Sequence, residues 1–369
     1  MNQALLGCIL MILKSLLSSS YLFTNRMIHG FVGGKALHAM QQHPIGRSED
    51  LNSLIADIGE RPVVMLGEAS HGTHEFYTWR AAISKKLITE KGFKFITVEG
   101  DWPDCYRINR YIKHYHNAGE SARDVVMNFK RWPQWMWANW EVIALIEWLQ
   151  EHNKNLPEQD KVGFYGLDVY SLWDSLDEIM KFIEKADPEA ASYVKSAFKC
   201  FQPYEGNEHL YAHFSWAGRS CQEQVIRLLQ EIRTRAPHWD GDYEDPFSVE
   251  QNALIALNAE RYYRSMMGFD NESWNVRDRH MMETLDRLIA FHRKSFSSSK
   301  VAQEAADPAA VVSMKCIIWA HNTHIGDARA TDMKASGMVN LGQLGREEYG
   351  VEQVYLVGFG THSGTVIAG

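Results

Sequence analysis

The sequence predicts an α/β fold: a mostly parallel sheet flanked by helices, with a large all-helical insertion between the third and fourth strands. Three observations carry this prediction. Five short apolar runs, Val63–Leu66, Phe93–Val98, Val162–Gly166, Lys315–Ala320 and Gln353–Val357, each lead into a polar loop. Segments with helical periodicity separate the runs. Between residues 171 and 294 helical periods occur and no strand-like run interrupts them. Strands alternating with helices give a parallel sheet. Its strands end on one edge, where ligands bind.

The elements follow in order. Ser48 is placed to cap a short helix through Ile58, with Leu51, Leu54, Ile55 and Ile58 on one face, and Arg61-Pro62 breaks it. Val63 to Leu66 is apolar throughout, as expected for a strand buried on both faces. Glu75 to Glu90 reads as a helix, because Phe76, Trp79, Ile83 and Leu87 recur every three or four residues. Gly92 follows as its left-handed cap. After the second strand a helix opens near Pro103, a residue suited to a first helical turn. The insertion divides into helical stretches over 172–186, 188–200, 215–235, 249–267 and 276–293, and is expected to pack as a subdomain beside the sheet. Residues 295–309 are low in complexity and read as a linker. The organisation expected is therefore an α/β domain of residues 45–170 and 310–369, an insertion of 171–294, and a last apolar run, Thr365 to Ala368, as an antiparallel addition.

Residues 1–44 are expected to lie outside this fold. The apolar run from Ala4 to Leu13 is too short to span a bilayer. It also lacks the basic residues that precede a secretory signal, since the first lysine is Lys14.

Composition narrows the function. Hydrophobic residues are 45% and charged residues 23%, the balance of a globular protein with a sizeable core. A net charge of -8 supplies no attraction to nucleic acid or to an anionic membrane, so neither is expected as a partner. The five cysteines are scattered and odd in number, and no C-x-x-C occurs. They predict neither a disulfide framework nor a zinc ribbon, and they suit a reducing cytoplasm. The sequence sets no oligomeric state.

The strand-end loops carry the chemistry. They pool Glu68, His71, Glu99, Asp168, His321, His324 and His362 along one edge. Ser70 sits in Glu68-Ala69-Ser70-His71-Gly72 and lacks the glycine of a nucleophile elbow, and Ser363 fails on both sides. A histidine general base is the better expectation, because imidazole takes a proton from water near neutral pH and a carboxylate such as Glu68, three residues before His71, fixes its tautomer. The bland alternative for His71 is a turn or helix-capping histidine. His71/His74 and His321/His324 both have the H-x-x-H spacing, which leaves one divalent metal ion as the rival to a site requiring no cofactor. Arg80 reads as a surface salt bridge, a fork donor to a substrate carbonyl, or an anchor for Glu68 or Glu99. The tryptophan cluster of residues 132–140 is expected to pack internally rather than to wall a cleft, and Arg277 opens a charge-dense helix that either faces the cleft or pairs with a neighbour.

Six motifs then converge in order: Gly67-Glu68-Ala69-Ser70-His71-Gly72-Thr73-His74-Glu75, Val98-Glu99-Gly100-Asp101-Trp102-Pro103, Gly166-Leu167-Asp168-Val169-Tyr170, Asn275-Val276-Arg277-Asp278, Trp319-Ala320-His321-Asn322-Thr323-His324 and Gly358-Phe359-Gly360-Thr361-His362-Ser363-Gly364. Together they resemble the erythromycin esterase family, from about Ile45 to the last residue. The resemblance implies an α/β protein with a helical insertion that hydrolyses an ester or a macrolide-type lactone, with His71 as the base that activates water. It implies active-site roles for Glu68, Arg80, Glu99, His321 and His324 also. His74, Trp102, Asp168, Arg277 and His362 are the residues expected to bind substrate. Relatives vary in metal dependence, and some are labelled polysaccharide-biosynthesis proteins, so a metal-dependent hydrolase and a non-catalytic relative are the alternatives. The resemblance further implies a C-terminal segment beyond Gly369.

Overall fold

The computed structural model describes residues 45–361, apart from residues 130, 132, 205, 269, 270 and 298–313. The expected N-terminal extension, most of the linker, the run Thr365 to Ala368 and His362 lie outside the described residues. The chain divides into two compact units at residue 54. The described part of the first holds a 3-10 turn, Ser48–Asp50, capped by Arg47 rather than by Ser48. Helix α1 (Leu51–Ile58) follows it.

In the second unit five parallel strands form one sheet in the order β3-β2-β4-β1-β5. They are β1 (Val63–Leu66), β2 (Phe95–Asp101), β3 (Gly163–Asp168), β4 (Cys316–Trp319) and β5 (Val354–Val357). Every residue of the first four is buried, whereas β5 is half-buried at the sheet edge. That is why the first four read as apolar runs without alternation. Register aligns Val63 with Cys316 and Val354, and Phe95 with Cys316 and Gly163, so the strands start at a common level and β2 and β3 run past the other three to Asp101 and Asp168.

The crossovers are α2 (His74–Lys91) after β1, then α3 (Trp102–Ile112), α4 (Ala122–Val126) and α5 (Trp140–Asn153) between β2 and β3. Gly92 ends α2 with φ 72°, the left-handed cap expected. The insertion comprises α6 (Leu172–Ala186), α7 (Ala191–Phe201), α8 (Glu208–Trp216), α9 (Gln222–Arg235), α10 (Asp245–Ser265) and α11 (Glu272–Ser297). The single helix expected over 215–235 is two, because Gly218 turns the chain with φ 87° between them. Helices α6 to α10 build a core of their own from residues such as Leu176, Val194, Tyr211, Val225 and Ala253. Helix α11 instead packs Met281, Leu285 and Leu288 with Met65, Phe95 and Ile318 of the strands. The last helix of the insertion is thus a layer of the sheet. Helices α12 (Asn322–Ile325) and α13 (Leu341–Tyr349) lie between β4 and β5.

Cys200 and Cys221 form a disulfide between the end of α7 and the residue before α9. This corrects the expectation of no disulfide and removes the support the cysteines gave to a reducing compartment. Sequence spacing could not register the pairing, because only the fold of α7 to α9 brings residues 21 apart in sequence together.

One irregularity shapes the functional edge. Val98 pairs with Gly166 and Asp101 with Asp168, so β2 carries one extra residue, a bulge at Glu99 and Gly100. Trp137 Nε1 donates to the freed Glu99 carbonyl at 3.1 Å. A Cβ at Gly166 would overlap the backbone carbonyl of Gly100. Gly166→Ala is therefore expected to push the bulge away and cost about 1–3 kcal/mol of stability, read as a lower denaturant midpoint with the slope unchanged.

Candidate functional site

The strand order explains how residues distant in sequence meet. β4 lies between β1 and β2, so its following loop stands between Glu68, two residues past β1, and Glu99 of β2. Backbone hydrogen bonds fix it there. His321 N donates to Glu99 Oε2 at 2.8 Å, and Asn322 N donates to the Glu68 carbonyl at 2.9 Å. Gly67 makes the approach possible, since any Cβ there would collide with the Asn322 side chain.

Glu68 is wholly buried. Its Oε1 accepts from His71 Nδ1 at 2.7 Å and its Oε2 from Arg80 Nη2 at 2.7 Å. Gly72, at φ 78°, turns the chain after His71, just before α2 begins. The His71 side chain is 32% exposed, and Nε2 has no hydrogen-bond partner among the described residues. Burial pulls its pKa down, but the hydrogen bond to Glu68 and the charges of Glu99 and Glu68 outweigh that and leave it raised. Arg80 lies below, between the rings of Tyr77 and Trp319 at 4.8 and 4.7 Å. Its Nε and Nη1 are buried without hydrogen-bond partners, so the ring faces supply part of what water would. Of the three readings of Arg80, the anchor for Glu68 is the one the contacts match. With 0% exposure it reaches no substrate.

The second group centres on Arg277, near the start of α11. Its Nε donates to Asp168 Oδ1 at 2.9 Å, and its Nη2 to Asp168 Oδ2 and Glu99 Oε1, each at 2.7 Å. Burial raises the pKa of both carboxyls, yet Arg277 with Arg131 holds Asp168 below the ordinary carboxyl value, and Arg277, His324 and His71 together hold Glu99 well below it. His324 stands beside them, 2% exposed. Asp278 accepts its Nδ1–H at 2.9 and 3.0 Å, and Trp274 stacks flat on the ring at 4.6 Å. Nε2 then faces Glu99 Oε1 at 3.4 Å and Arg277 Nη1 at 2.9 Å. Burial lowers the pKa of this ring, but Glu99 and Asp278 raise it to about 9. The protonated ring donates to Glu99, while the neutral ring accepts from Arg277. Four carboxylates, Glu68, Glu99, Asp168 and Asp278, thus face two guanidinium groups, those of Arg80 and Arg277. The surplus negative charge explains why both His71 and His324 hold protons more tightly than a free imidazole.

The remaining candidates fall in different places. His321 is half-buried, with its ring 5.2 Å from that of His71. Its Nδ1 accepts from Thr323 N at 3.2 Å, capping α12, and its Nε2 donates to the Ala69 carbonyl at 3.1 Å. His74 is not in the cluster: it opens α2, is 65% exposed, and pairs with Glu141. Trp102, expected to bind substrate, is a core residue with 0% exposure, stacked on Tyr106 and Tyr165 and donating to Ser248 Oγ at 3.1 Å. It is the first residue of α3, and the apolar face of that helix turns it inward. Asp168 and Arg277, also expected to bind substrate, are bound chiefly to each other.

Four residues at this edge had no role in the sequence reading. Asp278 and Trp274 orient His324. Arg131 donates to Asp101 at 2.5 and 3.0 Å. The Tyr170 ring carries Arg131 at 4.6 Å and Arg277 at 4.9 Å. Trp274, Arg277 and Asp278 had a usable signal, since residues three and four apart share a helix face. Arg131 had none. Among the described residues no three His, Cys, Asp or Glu side chains converge as ligands of one metal ion.

The erythromycin esterase family model matches residues 88–369 of the chain. The chain belongs to that family. It is 24% identical over 305 residues to the erythromycin esterase type II of Escherichia coli, an alignment covering 77% of this chain and 65% of that protein. The chain thus spans less than two thirds of that relative's length. A solved succinoglycan biosynthesis protein superposes with a TM-score of 0.61 at 20% identity, covering 86% of this chain and 71% of that one. A mutant of the erythromycin esterase EreC in its open conformation gives 0.57 at 17%, covering 86% and 74%. At these identities the solved structures establish the α/β fold.

The raised pKa of His324 has a consequence for stability. The folded value of about 9 exceeds the ordinary 6.5, so the contribution is whole below pH 6.5 and is lost as pH climbs through 9. Calorimetry should show the thermal midpoint falling over that interval, and His324→Asn should flatten the fall.

Proposed function

For this member of the erythromycin esterase family we propose a carboxylic-ester or lactone hydrolase in which His71 activates water. The observation that carries the reading is the Glu68–His71 pair: a buried carboxylate holds Nδ1–H at 2.7 Å, and the opposite nitrogen has no partner among the described residues at the carboxyl edge of the sheet. Family membership supports hydrolysis in general. The substrate class extends what the names of relatives say about those proteins.

The chemistry is a direct attack. Nε2 of neutral His71 takes one proton of a water as its oxygen bonds to the substrate carbonyl carbon. Glu68 stabilises the imidazolium that results, and Arg80 holds Glu68 in place. The tetrahedral oxyanion collapses, the carbon–oxygen bond to the alcohol breaks, and the alkoxide takes the proton back from His71. His321, beside His71, has both ring nitrogens engaged, by Thr323 N and the Ala69 carbonyl, and we assign it to holding the loop that carries His71. Arg80 and His324 are too buried to touch the substrate and act by placing Glu68 and Glu99.

His71→Ala is expected to lower kcat/KM on a reactive ester or a macrolide lactone by roughly 10²–10⁴-fold. Equal rates in the two proteins would sink the base assignment. Wild-type kcat/KM should fall in acid with a midpoint above 6.5, since His71 must be neutral to act. Glu68→Gln removes a cause that raises that pKa, so the acid limb should move to lower pH while the plateau drops.

We propose that no metal is required. Prolonged incubation with a chelator should leave the rate unchanged. A loss restored by a divalent ion would shift the reading to a metal-dependent hydrolase.

A further inference from the structure

Helices α2 and α5 pack side by side and leave a groove of about 470 Å³, a volume in the range of small-molecule sites. The groove is open because its floor is small: Ala81 and Ala144 stand where larger side chains would fill it. One wall is Trp140, 70% exposed, an unusual position for the residue type with most apolar surface to hide. Lys85 lies in the same groove, half-buried. Its ammonium rests 5.3 Å from the Trp148 ring centre and has no carboxylate within ion-pair reach among the described residues. Glu141, the acid that also lines the groove, is already held by His74.

We infer that this groove is a binding site for an amphipathic carboxylate, separate from the Glu68–His71 pair, with the anion on Lys85 and the apolar body laid across Ala81 and Ala144 against Trp140. The charge argument selects the ligand. A cation partly withdrawn from water gains most from an anion that neutralises it, and burial already lowers the Lys85 pKa with no acid to offset it. The aromatic wall and alanine floor select an apolar body, so an inorganic anion or a sugar would leave most of the surface uncovered. The inference stands on this groove and does not need the hydrolase reading.

The test uses the full chain and 4-phenylbutyrate, with its uncharged amide as control, followed by tryptophan fluorescence and calorimetry. The acid should bind at least tenfold more tightly than the amide. Lys85→Met should erase that difference, Lys85→Arg should keep it, and Trp140→Ala should weaken both ligands. His71→Ala should leave binding unchanged, which separates this groove from the proposed catalytic pair. Absence of binding at millimolar concentration, equal affinity for acid and amide, or acid affinity untouched by Lys85→Met would each overturn the inference.

Discussion

The functional edge depends on Arg277. Glu99 and Asp168 are buried on adjacent strands, and two carboxylates so placed repel each other and lose hydration. One guanidinium, forked across both, makes their burial tolerable. In such a network the loss of one partner typically costs 3–5 kcal/mol, about what a domain can spare. Arg277 arrives on α11, the last helix of the insertion, which packs onto the sheet through Met281, Leu285 and Leu288. The insertion therefore supplies a structural charge as well as bulk.

The rest of the site follows from where the surplus negative charge goes. Glu68 has its own guanidinium, Arg80, and Glu99 shares Arg277 with Asp168. Asp278 pairs with His324 and also accepts from Leu341 N at 2.9 Å. The imidazoles absorb the imbalance by binding protons more strongly. For His324, buried and stacked on Trp274, this raises the pKa to about 9. For His71, partly exposed, it yields a base of increased strength at the surface. The same electrostatic cause thus has two results, separated by access to solvent.

Much of this was legible in the residues. Four fully buried parallel strands leave apolar runs, and polar loops mark where the strands stop. Glu68 and His71 are three apart in one loop, so their pairing is nearly local. Trp102, expected to bind substrate, lies in the core because the helix that it starts turns its apolar face inward. His74 was overvalued because the H-x-x-H spacing says nothing about direction: residue 71 faces Glu68, and beyond the turn at Gly72 α2 carries residue 74 toward Glu141.

The sequence by itself determined the sheet, the edge where polar loops collect, and the Glu68–His71 pair, because each depends on local spacing or on uniform burial. Only the tertiary structure decided which cation serves which carboxylate. Arg80 and Arg277 carry the same charge in the sequence, but one is sealed between Tyr77 and Trp319 under Glu68, and the other is forked between Glu99 and Asp168. The placement of β4 between β2 and β1 likewise brought His321 beside His71 and joined the ends of chain segments some 250 residues apart. Charge is a property of the residue, whereas its partner is a property of strand order and helix packing.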